Sequence, residues 1–133
     1  MLYFISFQFG GGFFGAVLAN TMFGLDFIQI SDNDRSGFNI YLGEFIATFG
    51  LLITILGVRK LSVLAVAPAV GLYISAGYWF TSSTSFANPA VTIARTFTDT
   101  FTGIAPISLK YFIPGQIVGC LIGNYIFNKI NES

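Results

Sequence analysis

Four runs of mostly apolar residues, each long enough to cross a bilayer as an α-helix, constrain the fold of this chain more than any other feature. They cover residues 2–25, 40–58, 61–80 and 107–128. The hydrocarbon core of a bilayer is about 30 Å thick, and a helix needs about 20 apolar residues to cross it. We therefore expect an all-α membrane protein with four transmembrane helices in a single domain over residues 1–133.

The composition agrees with this class and excludes several others. Only 9% of the residues are charged and the mean hydropathy is +0.76, whereas a soluble domain carries about 25% charged residues. The chain has no histidine and one cysteine, Cys120, which excludes His-based catalytic triads, His/Cys metal sites and disulfides. We interpret Cys120 as a small apolar residue of a helix. No enzyme activity, metal, cofactor or nucleic-acid partner is expected.

The charged residues between the apolar runs predict an orientation. Arg59, Lys60 and Lys129 fall on one side of the predicted bundle. On the other side lie Asp26, Asp32, Asp34, Arg35 and Lys110. Cytoplasmic loops carry an excess of Lys and Arg, so the tight turn at residues 59–60 and the C-terminus are expected in the cytoplasm. The first apolar run has no basic segment ahead of it, which argues against a signal peptide. We expect a multi-pass protein of the inner membrane.

An internal repeat relates the first apolar run to the last. Residues 3–20, YFISFQFGGGFFGAVLAN, and residues 111–128, YFIPGQIVGCLIGNYIFN, share seven residues at an offset of 108. Small residues at every fourth position let membrane helices approach closely, so we expect helix-packing seams at the glycines of both copies. These glycines are Gly11, Gly15, Gly115, Gly119 and Gly123. The repeated helix reverses its direction between the copies, as in channels and transporters built from inverted repeats.

The stretch at residues 81–98, TSSTSFANPAVTIARTFT, is too polar to face lipid and too helix-prone for an ordinary loop. Asn88 is a good N-cap and Pro89 suits the first helical position, so a short helix is predicted over residues 90–98. Non-helical backbone at membrane depth is tolerated only where it lines an aqueous cavity or is buried in protein. We therefore predict a re-entrant segment. The N-terminus of its half-helix would point to the bilayer centre and repel cations.

These residues resemble the major intrinsic proteins, the aquaporin and glyceroporin channels. The resemblance lies in NPAVT, in the pattern GQxxGxxxG of the last helix, and in the Glu-bearing segment GEFIATFGLLITILG. It covers nearly the whole chain and corresponds to the third to sixth helices of a six-helix fold. FTSSTSFANPAVTIAR is similar to the second signature of a prokaryotic branch. The resemblance implies a partial, right-handed, aquaporin-like bundle with one NPA half-helix, and a channel for water, glycerol-like solutes or metalloid hydroxides.

The resemblance also implies roles for individual residues. Asn88, with Pro89 and Ala90, would line the pore, the Asn88 carbonyl capping the half-helix while its amide group donates to passing solutes. The alternative is a helix start without a pore. Glu44 matches the intramembrane glutamate that braces the re-entrant loop. Only a few helical residues precede Glu44. The alternative is therefore that Glu44 lies near the outer surface and is solvated.

The position of the constriction arginine departs from the usual family pattern. Val91 stands where that arginine directly follows NPA, and Arg95 lies four residues later. Positions four apart share a helix face, so Arg95 would reach the same pore wall one turn further outward. Alternatively it extends to the outer headgroups. Tyr78 occupies the filter position of the fifth helix, or it anchors the helix at the membrane interface.

The sequence also predicts what the chain lacks. One re-entrant loop is present, whereas the resembling fold has two that meet at mid-membrane. We expect a truncated channel without the first two helices and the first NPA loop, or a chain that a partner completes. A complete channel in the lipid bilayer would be a homo-oligomer, a tetramer by family resemblance. The alternatives are a secondary transporter and a non-conducting membrane subunit.

Overall fold

The computed structural model describes residues 2–132, and these residues form helices and connections without a β-strand. The five α-helices are α1 (Leu2–Met22), α2 (Phe38–Leu61), α3 (Val66–Phe80), α4 (Pro89–Ala94) and α5 (Leu109–Asn131). Short 3-10 turns follow α4 at Arg95–Phe97 and precede α5 at Pro106–Ser108. Several helix ends differ from the predicted bounds, and the predicted layout of four spans with one re-entrant half-helix stays a prediction.

Helix α1 ends three residues earlier than predicted because its last turn closes on a glycine. Gly24 has φ +70°, the left-handed conformation that commonly terminates helices. The N–H of Leu25 donates to the carbonyl of Asn20 at 2.8 Å, and the N–H of Phe23 donates to that of Ala19 at 3.1 Å. These bonds satisfy carbonyls that the helix end would leave unpaired.

The hairpin between α2 and α3 is wider than the sequence suggested. Arg59 and Lys60, predicted to be the turn, lie in the last turn of α2. Cations are favourable at that end of a helix because the last carbonyls carry partial negative charge. Helix α3 begins only at Val66, so residues 62–65 make the connection.

Two of the helices, α1 and α2, are long and apolar enough to cross a membrane by length and composition, and the 15-residue α3 is a shorter apolar helix. Large apolar side chains cover much of the surface; Phe4, Phe7 and Phe14 of α1 are each at least 70% exposed. Exposed apolar area of this extent is typical of a surface that contacts lipid or another protein. The arrangement as four crossing helices remains a prediction.

Helices α2 and α5 pack closely along the predicted glycine face of α5. A Cβ atom at Gly115 or Gly119 would lie 2.5 Å from the carbonyl oxygen of Tyr41 or Phe45, respectively. Gly123 continues the same seam. Any side chain on this face would force the two backbones apart.

On α1, the glycine that lies close to another described helix is Gly12, whereas the predicted seam at Gly11 and Gly15 stays a prediction. Nothing lies within 4 Å of a Cβ placed at Gly11 or Gly15, whereas one at Gly12 would lie 3.3 Å from both Ala90 O and Ala94 Cβ. Adjacent residues are about 100° apart around a helix. Helix α1 therefore turns a neighbouring face to α4, and the face carrying Gly11 makes no close approach within residues 2–132.

Hydrogen bonds join neighbouring elements at each of the two ends of the bundle. The amide of Asn20, near the end of α1, donates to Phe97 O at 3.0 Å, which joins α1 to the segment after α4. At the opposite end the amine of Lys60 donates to the side chain of Asn131. The C-terminal ends of α2 and α5 therefore lie side by side.

Candidate functional site

Glu44 of α2 holds the segment that precedes α4. Its side chain is fully buried, and its two carboxylate oxygens accept from the N–H groups of Phe86 at 2.9 Å and Ala87 at 2.8 Å. Gln116 of α5 donates to the same carboxylate at 2.6 Å. A buried carboxylate is tolerated only with such partners. The alternative of a solvated Glu44 is therefore wrong.

The short helix α4 starts with the cap that the sequence predicts. The Asn88 side-chain oxygen accepts from Ala90 N at 2.8 Å, and Pro89 occupies the first helical turn. The hydroxyl of Thr92 donates back to Asn88 O at 2.8 Å. The helix is shorter than predicted, because the chain tightens into a 3-10 turn at Arg95.

The start of α4 lies level with the middle of the long helices. Ala87 and Pro89 line a mostly apolar cavity of about 300 Å³ together with Thr48, from the middle of α2, and Gln116 and Cys120 of α5. Cys120 is an exposed free thiol and not a filler within the helix packing. The hydroxyl oxygen of Thr48 and the side-chain carbonyl oxygen of Gln116 are buried without a hydrogen-bond partner.

The loop between α3 and α4 holds its residues in a strained conformation. Thr84, Ser85 and Ala87 have φ of 63°, 56° and 49°, a region that costs a non-glycine residue about 1–2 kcal/mol. Two glycines make room for this loop. A Cβ at Gly43 would lie 2.6 Å from Ser82 Oγ, and one at Gly77 would lie 2.5 Å from Ser85 Oγ.

One cavity brings together three of the predicted pore residues. Asn88, Val91 and Tyr78 line a space of about 340 Å³. Its wall also includes the hydroxyl-bearing Ser85, whose Oγ is buried and unpartnered. Sequence reasoning missed Ser85, because a serine in a polar stretch gives no signal of the direction it faces. Ser85 and Asn88 from the loop thus share the cavity lining with residues of α2 and α3.

Arg95 lies outside that cavity. It shares a space of about 220 Å³ with Val91 and α1, and a second space of about 330 Å³ with Asn20 and three threonines. Its guanidinium donates to Thr102 Oγ1 at 2.9 Å. Val91 thus borders both the Asn88 cavity and the Arg95 cavity, and the structure does not bring Arg95 and Asn88 together.

The connection from α1 to α2, residues 23–37, packs over the segment that follows α4. Ser31 Oγ and Asp32 N donate to Asp99 Oδ1 at 3.2 and 3.3 Å. Asn33 donates its side chain to Gly103 O at 3.0 Å. The sequence of this connection is rich in polar, turn-forming residues. Its run of Ser, Asp and Asn, which readily bind backbone groups, was the available signal.

Comparison with known proteins gives one informative match. The chain is 46% identical over 114 residues to Aquaglyceroporin AqpS of Rhizobium meliloti (strain 1021). The match covers 86% of this chain and 49% of that protein, so the chain spans about half the length of the curated relative it matches. No family model matches the chain, and no solved structure matches it. The similarity supports a helical, multi-pass membrane protein.

Proposed function

We propose that this chain, which belongs to the major intrinsic protein family, contributes to a passive channel for water or small neutral solutes, such as glycerol or an undissociated metalloid hydroxide. One observation carries the proposal. Glu44 binds the strained loop so that α4 begins at the level of the helix middles, with Asn88 as its cap. Asn88 offers a neutral amide to a cavity and no charge, which suits solutes that exchange hydrogen bonds with water.

The residues of the NPA stretch have distinct roles in this channel. Asn88 is the donor at mid-channel, while Pro89 and Ala90 fix the direction of α4. Val91 and Tyr78 form the apolar side of the path, as their shared cavity with Asn88 suggests. Arg95 acts further outward, from the cavities that it shares with Val91 and with the threonines.

A second polypeptide segment completes the pore. Thr48 and Gln116 line the cavity at Pro89. Each has a buried side-chain oxygen without a hydrogen-bond partner, and an unsatisfied buried polar group costs about 1–3 kcal/mol. A segment with two further helices and another NPA-type loop would cover this cavity and supply donors. The half-length match to the relative agrees with such a segment. The complete channel is a homotetramer in the inner membrane, with the C-terminus in the cytoplasm.

The alternative of a secondary transporter needs a titratable or ion-binding group that faces the transport path. Glu44 is the only carboxylate in the described part of α2 and the loop before α4, and its oxygens are engaged by Phe86, Ala87 and Gln116. This arrangement favours a structural carboxylate. A non-conducting subunit remains the third class, and flux separates it from the other two.

The experiment is reconstitution in proteoliposomes of the chain alone, and of the chain fused behind the N-terminal half of Aquaglyceroporin AqpS. Stopped-flow light scattering measures water and glycerol permeability. We expect flux above that of empty vesicles for the fusion only, and independence of proton and sodium gradients. Gradient-dependent uptake would favour the transporter. Absence of flux in the fusion would favour the non-conducting subunit, and conductance by the chain alone would contradict the need for a second segment.

A further inference from the structure

Arg35, in the connection before α2, reaches back over the strained loop that precedes α4. Its guanidinium donates to Thr84 Oγ1 at 3.3 Å and to Ser82 O at 3.4 Å. The backbone N–H of Arg35 donates to Ser108 Oγ at 3.0 Å, which ties the residue to the start of α5. The backbone and side chain of this one residue thus link the connection before α2 to the loop before α4 and to the start of α5.

The same guanidinium lies over a buried aromatic pair. Phe86 and Phe112 stack with their ring centroids 5.1 Å apart, and Arg35 Cζ lies 5.8 and 5.6 Å from the two centroids. A cation at this distance is attracted to the ring faces. Phe86 is also the residue whose N–H donates to Glu44. The loop therefore lies between a cation on one side and a carboxylate on the other.

We propose that Arg35 is a positioning residue that holds the first part of the loop, residues 82–86, and forms with Glu44 a two-sided clamp on the strained backbone. Within this loop, Glu44 accepts only from the N–H groups of Phe86 and Ala87. The positive φ angles begin earlier, at Thr84, where Arg35 supplies the contacts. The inference rests on the proposed function only in taking this loop as a pore wall.

An arginine suits this position better than a lysine. The planar guanidinium donates through two nitrogens while it stacks on a ring, whereas an ammonium is a compact point charge. Burial lowers the pKa of Arg35, and attraction to the Glu44 carboxylate raises it again. Because an arginine stays protonated in proteins, the clamp keeps its charge and is not a pH switch.

The test is amide hydrogen exchange in the segment 81–88, measured by mass spectrometry on the chain in detergent micelles. Arg35→Met removes the charge and both donors and keeps an apolar stem. We expect exchange at Phe86 and Ala87 to become roughly tenfold faster. Arg35→Lys retains a cation over the rings, so it should restore part of the protection.

Lys110→Met is the matched control. Lys110 is another cation over a ring, with Nζ 5.2 Å from the Tyr111 centroid, at the same end of the bundle. It should leave exchange in segment 81–88 unchanged.

The clamp would be overturned if segment 81–88 of Arg35→Met exchanged at the wild-type rate. It would also be overturned if Lys110→Met accelerated exchange there equally. If Arg35→Met does not fold, Arg35→Lys decides: faster exchange confined to the loop supports the clamp, and the wild-type rate overturns it. The measurement does not depend on solute flux, so failure of the channel proposal and failure of the clamp can be told apart.

Discussion

Helices α1 and α5 carry two copies of one sequence pattern, and the copies have different surroundings. The glycines of α5 contact the backbone of α2 so closely that a Cβ would clash. Gln116 of the same helix is buried and donates to Glu44 and Thr92. At the equivalent positions of α1, a Cβ placed at Gly11 or Gly15 would meet nothing within 4 Å, and Gln8 is exposed.

This difference teaches that a small-residue pattern predicts the capacity for close packing but not the partner. The α5 copy meets its partner because α2 lies within the same chain. The α1 copy offers the same surface without a corresponding helix among residues 2–132. If a second segment supplies that helix, the two copies should become equivalent.

The largest effect on stability is expected where the glycines of α5 pack against α2. Gly119→Ala puts a methyl group 2.5 Å from Phe45 O, which should lower the free energy of unfolding by about 3 kcal/mol, since overpacking of this kind costs about 1–3 kcal/mol. Gly15→Ala is the control, and there we expect no loss. Thermal unfolding in detergent measures both, and equal losses would contradict the contrast between the copies.

Gln8 of α1 and Gln116 of α5, which occupy equivalent positions of the repeat, give the second test. Gln116→Leu removes one donor from a buried carboxylate, and a hydrogen bond to a charged group contributes about 1.5–3 kcal/mol. We expect a loss of about 2 kcal/mol and faster hydrogen exchange in the loop that Glu44 binds. Gln8→Leu should change neither quantity in the chain alone. A large loss for Gln8→Leu would mean that α1 already has a partner.

The exposed cavity at Pro89 can be monitored through the single cysteine. Cys120 lines this cavity and is exposed, so a maleimide should label it readily in the chain alone. In the fusion with the N-terminal half of the relative, labelling should be slower by about tenfold, because local opening becomes necessary for access. Unchanged labelling would show that the added segment does not cover this surface.

Arg95 is expected to give the smallest effect on stability. Its contact is a single hydrogen bond to Thr102, so Arg95→Ala should cost about 1 kcal/mol. In a conducting fusion the same change should relax the exclusion of larger or charged solutes. Unchanged permeability ratios would indicate that Arg95 only anchors the chain at the membrane interface.

The sequence predicts those features that depend on neighbouring residues. The Asn-Pro start of α4 and the glycine face of α5 both follow from local patterns, and the structure has them. The connection over residues 23–37 could not be predicted in the same way, because its bonds to Asp99 and Gly103 join distant parts of the chain. The contact of Gly12 with α4 could not be predicted for a related reason, since only the position of α4 decides which face of α1 it covers.

The bonds to Glu44 also bear on the order in which the protein is made. The loop that Glu44 binds follows it by more than 40 residues, and Gln116 follows by 72. Contacts this far apart in sequence form late, because the intervening chain must be ordered first. A ribosome-stalled chain that ends before α5 would leave Glu44 without one of its donors. We expect such an intermediate to keep the segment 81–88 accessible to protease at the membrane surface until α5 has been inserted; protection before that stage would contradict this order.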